Sequence, residues 1–142
     1  MIRRLRPIPA LLAAAWCATA PGVAAADLID ELLKTGETGF ARDGWAPLQT
    51  WRGKLDEDET ATIKVRLPRG DYFIHGVCDE DCIDLDLRVF GPNGGKLAED
   101  VLDDDSPMVQ FTLAAAGEIT VRVDMAYCDI EPCAYAVRTY GK

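Results

Sequence analysis

Four cysteines in two close pairs, Cys78 with Cys82 and Cys128 with Cys133, carry the spacing most suggestive of chemistry in this 142-residue chain. Each pair brackets a short acidic stretch, CDEDC and CDIEPC. Such pairs either oxidise to disulfides or bind zinc as thiolates. The CxxxC and CxxxxC spacings are looser than those of zinc fingers, and an exported chain oxidises pairs of this kind. Four cysteines allow three pairings. The local one, Cys78–Cys82 and Cys128–Cys133, is preferred, and bridges that close such small loops would mainly fix loop shape.

The acidic residues offer a second chemistry. Asp79 and Asp81 lead into Asp84 and Asp86 on one face of an expected strand, and Asp103, Asp104 and Asp105 lie on a loop that could approach them. Calcium takes about 6–8 hard oxygens at roughly 2.4 Å, which carboxylates on loops can supply. The pattern is not that of an EF-hand. Solvated acid that keeps an all-β protein soluble and guards its edges explains the same residues. Asp84 and Asp86 have a third reading as hydrogen-bonding residues of a turn and strand end.

Hydrolytic chemistry has little to draw on. The chain holds one serine, Ser106, and one histidine, His75. Ser106 precedes a proline in an acidic loop without a G-x-S-x-G elbow, and neighbouring carboxylates oppose the oxyanion that acyl transfer must stabilise. His75 is expected to be a structural imidazole in mid-strand. With the cysteines paired there is no thiolate nucleophile. Trp45 and Trp51, in GWAPLQTW, could stack on a sugar if exposed, but two tryptophans beside a core strand more often pack against it.

The N-terminus indicates where such cysteines would oxidise. Residues 1–26 read as a cleavable signal peptide: Arg3, Arg4 and Arg6, then a short apolar run from Leu11 to Ala20, then small Ala24 and Ala26 before Asp27. The run is short of the roughly 20 residues needed to span a bilayer. Cys17 would leave with the signal. All 24 acidic residues lie beyond it and three of the 15 basic ones lie within it, so the net charge moves from −9 to −12. An acidic surface of this kind repels nucleic acid and anionic membrane.

Residues 27–44 are expected to form a short N-terminal helix and lead-in. Leu28, Ile29, Leu32 and Leu33 make one face of the helix, and Gly36 stops it. Residues 45–142 form the remaining domain and read as strands. Ile63, Val65 and Leu67 alternate with polar residues, as do Ile83, Leu85, Leu87 and Val89, all four expected to point inward. Further strands are expected at 72–78, 96–99, 109–113, 119–123 and 134–140, separated by Gly, Pro and Asp turns. About seven to eight short strands predict an all-β, antiparallel, jelly-roll-like β-sandwich.

Several of these motifs also occur together in a known family. GKLDEDE from Gly53, the turn Pro68-Arg-Gly70 before Tyr72, DLDLRVFGPNG at 84–94, GEITVRV at 117–123 and the closing strand at Tyr135 resemble the bacterial pre-peptidase C-terminal (PPC-like) domain. The resemblance covers Gly53–Tyr140 and rests on the order of motifs that are individually weak. It implies a β-sandwich accessory module of secreted proteins, here a cysteine-containing, stand-alone relative, and related modules bind calcium. The expectation is therefore an exported, non-catalytic, monomeric binding module in the periplasm or outside the cell. Its partner would be a protein or glycan. No resident cofactor is expected, and calcium is the one ion that the acidic loops suit.

Overall fold

The computed structural model describes residues 24–142; the expected signal segment, residues 1–26, lies outside them apart from its last three positions. One helix, Ala25–Arg42 (α1), precedes eight strands. These are Ala46–Leu55 (β1), Thr60–Leu67 (β2), Gly70–Cys78 (β3), Cys82–Phe90 (β4), Lys96–Asp100 (β5), Met108–Leu113 (β6), Gly117–Cys128 (β7) and Cys133–Gly141 (β8). They form two four-stranded antiparallel sheets, ordered β1-β8-β3-β6 and β2-β7-β4-β5. This is the jelly-roll order, in which the chain passes from one sheet to the other at nearly every connection.

The alternation in sequence becomes the core between the sheets. Ile63, Val65 and Leu67 of β2, Leu85, Leu87 and Val89 of β4, and Ile119, Val121 and Val123 of β7 meet Tyr72, Ile74, Tyr135 and Val137 of the first sheet. Burial of alternate residues leaves the outer face of β2 and β7 to Lys64, Arg66 and Arg122. Trp51 packs against the same core, and Trp45 lies against Phe73 with ring centroids 5.8 Å apart.

In β3 and β8 the alternation fails, because both of their faces are covered. Their outward residues Val77, Ala134 and Ala136 are buried beneath Ile29 and Leu33 of α1. The small alanines let the helix approach the sheet closely. Farther along α1, Phe40 packs against Phe73, His75 and Tyr140. Ion pairs Asp30–Arg52 and Glu37–Arg138 hold the flanks of the helix.

Two expectations change here. The helix does not stop at Gly36 but runs through it to Arg42. A Cβ at Gly36 would lie 3.0 Å from the His75 ring, so the glycine is what lets the helix rest on that imidazole. The stop falls instead at Asp43 and Gly44, where φ is +84° and their N–H groups bond the Phe40 and Ala41 carbonyls. The Lys142 ammonium donates to the Asp43 carbonyl and so adds a cation at the helix C-terminus. The other change is β1, a strand that sequence periodicity does not mark. Its residues are mostly exposed along a sheet edge, so no alternation was required of them.

The seating of α1 predicts unequal effects on its two neighbouring leucines. Leu33→Ala is expected to lower the unfolding free energy by about 2–5 kcal/mol in urea denaturation. Leu32→Ala, partly exposed, is expected to cost less than about 1 kcal/mol. Equal effects would contradict the packing described.

Candidate functional site

Both disulfides form as the local pairing predicts, Cys78–Cys82 and Cys128–Cys133, with Cα separations of 5.9 Å in each. Each staples a crossing between the sheets, β3 to β4 and β7 to β8, and all four cysteines are buried. Cys82 pairs with Cys128 across the β4–β7 ladder, and Cys133 pairs with Leu55 across β1–β8. The two staples therefore sit side by side at one end of the sandwich. The Asp129 N–H bonds the Asp81 carbonyl at 2.8 Å and ties their loops together. These bridges place the folded chain in an oxidising compartment.

Two further crossings close the same end. Residues 56–59 join β1 to β2, where the Glu57 N–H donates to the Glu131 carboxylate at 2.8 Å. Residues 101–107 join β5 to β6 and lie against β3 and β4, because Leu85 N–H bonds the Asp104 carbonyl and Gly76 N–H bonds that of Pro107. The four crossings hold twelve acidic residues and no lysine or arginine. None of the twelve forms an ion pair among the described residues. The connections at the opposite end, the crossings at residues 68–69 and 114–116 and the β4–β5 hairpin at 91–95, hold no acid.

Apolar side chains stand exposed among these charges: Ile130 at 63%, Leu102 at 68%, Ile83 at 51% and Tyr127 at 45%. Ile83 was expected to point inward with Leu85, Leu87 and Val89. The β4–β7 register is irregular between Cys82 and Leu85, and this break in pairing turns Ile83 out while the other three stay buried. In the sequence, residues 56–59 stand out only within the GKLDEDE motif and Ile130 only within CDIEPC, and neither they nor Tyr127 read as site residues. The signal available was their closeness to the cysteines and to the turn after Leu55.

The candidate calcium ligands divide into three groups. Asp79 is only 6% exposed and turns inward; its Oδ2 accepts from Ala134 N–H at 2.6 Å, and its Oδ1 has no partner among the described residues. The Asp81 backbone carbonyl accepts from Asp129 N–H, while the Asp105 carbonyl only lies 3.5 Å from the oxidised Cys78 sulfur, which has no proton to donate. Asp84, Asp86, Asp103 and Asp104 come nearest to one another. Burial, then the Asp103 carboxylate, raises the pKa of Asp84, whose buried Oδ1 is also without a partner among the described residues. Burial, then Asp84, raises that of Asp86, which stands directly opposite Asp124 and is answered by Arg88. No three His, Cys, Asp or Glu side chains among the described residues converge closely enough to hold a metal ion.

The structure does bring the lone serine and histidine together, with His75 Nε2 at 3.0 Å from Ser106 Oγ. His75 is 5% exposed on the helix-covered face of β3. Burial, with the Arg138 charge beside it, lowers its pKa to about 4. Its Nδ1 faces Gly36 and has no partner among the described residues. We assign the ring proton to Nε2, since the other tautomer would bury an unsatisfied N–H. The imidazole then donates to Ser106, the reverse of what a general base does, and pins the 101–107 loop to β3. A groove of about 480 Å³ between the start of α1 and β1–β8, lined by Ile29, Lys54, Ala134 and Tyr135 among others, contains none of the candidate residues.

No protein-family model and no curated protein matches the chain. No helix among the described residues is long and apolar enough to cross a membrane.

The depressed His75 pKa has a consequence for stability. The unfolded chain binds the proton more tightly than the folded one. The neutral imidazole therefore favours folding above about pH 6.5, and this contribution is lost as pH falls toward 4. The loss is expected to reach about 3 kcal/mol. Asp84 and Asp86 act in the opposite sense, because their raised pKa values relieve strain on acidification. Comparing wild type with His75→Gln in urea denaturation between pH 7 and 4 isolates the histidine. The variant is expected to show the shallower decline.

Proposed function

We propose that the chain is an exported, non-catalytic accessory module that binds a macromolecular partner, protein or glycan, outside the cytoplasm through its stapled end. The observation that carries this reading is the combination found there: exposed apolar side chains among twelve carboxylates without ion-pair partners among the described residues. Elsewhere, half of the acids have an ion-pair partner among the described residues: Asp30, Glu37, Asp86, Glu99, Glu118 and Asp124. Apolar groups rimmed by charge are the usual composition of a binding surface. Disulfides at its base reduce the ordering needed on binding. The signal peptide and the likeness to pre-peptidase C-terminal domains belong to the same proposal and rest on sequence motifs.

A photo-cross-linking residue placed at Ile130 in the producing cells is expected to give a discrete adduct. The same residue at Asn93, on the opposite end, is expected to give none. Identical products from both positions, or none from Ile130, would remove the reading.

A calcium-ordered module is the second reading, favoured by the buried, partnerless Asp84 Oδ1 beside Asp103 and Asp104. The present spacing does not converge on an ion, so calcium would have to draw the 101–107 loop inward. Calorimetric melting would then rise by several degrees in calcium relative to chelator, and no shift would dismiss the ion.

A further inference from the structure

We infer that the stapled end docks a cationic, amphipathic polypeptide segment, one whose apolar side chains seat on Ile83, Tyr127 and Ile130 while its lysines and arginines meet the surrounding carboxylates. This inference rests on reading that end as the binding surface and names the partner chemistry.

Three features select this occupant. The negative charge is spread over four crossings rather than gathered at one point, and no three ligating side chains converge among the described residues. Spread charge matches several separate cations better than a single divalent ion. The second feature is the type of apolar group. Two of the three are isoleucines, which suit aliphatic side chains; a sugar ring is held by flat aromatic faces, of which this patch offers only Tyr127, Trp45 and Trp51 being used in packing elsewhere. The third is that the patch is fixed in place. Ile83 is turned out at a register break beside one buried disulfide, and Ile130 sits inside the loop closed by the other. Asp79, nine-tenths buried in the neighbouring loop with one oxygen lacking a donor among the described residues, adds an unused acceptor at the base of this end.

The experiment uses the purified protein and fluorescence anisotropy. Three labelled twelve-residue probes are compared: alternating Lys/Leu, alternating Lys/Ser of equal charge, and alternating Glu/Leu. The Lys/Leu probe is expected to bind at least tenfold more tightly than either of the others, with affinity falling as salt rises. Ile83→Ser with Ile130→Ser, both at exposed positions, is expected to weaken it at least fivefold without moving the unfolding midpoint. Glu57→Gln with Glu80→Gln and Asp129→Asn is expected to weaken it severalfold and to flatten the salt dependence. Glu118→Gln, at the opposite end, is expected to change nothing. Equal binding of the Lys/Leu and Lys/Ser probes, or indifference to the isoleucine pair, would reduce the effect to unspecific charge attraction and overturn the inference. Displacement of the Lys/Leu probe by cello-oligosaccharide would assign the site to a glycan and overturn it equally. If cross-links form from position 130 but the probes show no selectivity, the binding-module reading stands and this inference falls.

Discussion

Like charges at one end of the sandwich repel one another, and the chain's covalent staples sit where that repulsion acts. Two unit charges about 8 Å apart in bulk water cost roughly 0.5 kcal/mol, and more near a protein surface. Twelve carboxylates on four adjoining crossings make many such pairs. Nothing in those crossings neutralises them. What holds the end together is covalent bridging and backbone N–H donation: two buried disulfides, the Asp129–Asp81 backbone bond, the Asp104 and Pro107 carbonyls accepting from β4 and β3, and the Glu131 and Asp79 carboxylates accepting from the Glu57 and Ala134 N–H groups. Short loops gain modest chain entropy from cross-linking, so the main effect of the bridges is to fix the direction of the chain where electrostatics would splay it.

The other face of the first sheet is organised on the opposite principle. There β3 and β8 are sealed between the core and α1, and the buried polar groups are few and individually placed. Arg138 reaches Glu37 on the helix and Thr50 on β1. His75, kept neutral by its surroundings, touches the helix through Gly36 and the acidic loop through Ser106. It thus joins the stable, helix-covered side of the molecule to the exposed loop, and the protonation state of one ring affects both.

The arrangement separates framework from contact surface. The β2-β7-β4-β5 sheet answers Asp86, Glu99 and Asp124 with Arg88 and Arg122. The stapled end, apart from buried Asp79, leaves its acids without a cation among the described residues and its apolar groups exposed. A rigid base with unbalanced charge and exposed isoleucines is suited to recognition, because little ordering is needed when a partner arrives. The hydrogen bond between Ser106 and His75 ties the 101–107 loop to β3.

Local pattern was enough to determine several features. The alternation at 61–67, 83–90 and 119–123 required half-buried strands, and the short cysteine spacings favoured local bridges over the other pairings. Composition alone set the acidic surplus. Features that depend on what lies above or beside a segment were not legible. Gly36 reads as a helix stop until His75 is seen beneath it, and β1 has no period because it lies at an edge. Ile83 fits the inward pattern by spacing but is turned out by a break in register with β7. Acids far apart in sequence became one surface only because the jelly-roll order brings four crossings to the same end. By itself the sequence determined the elements, the bridges and the charge, since these follow from neighbours along the chain. The tertiary structure alone decided which charges stand together and which apolar groups remain uncovered, since that depends on contacts between residues distant in sequence.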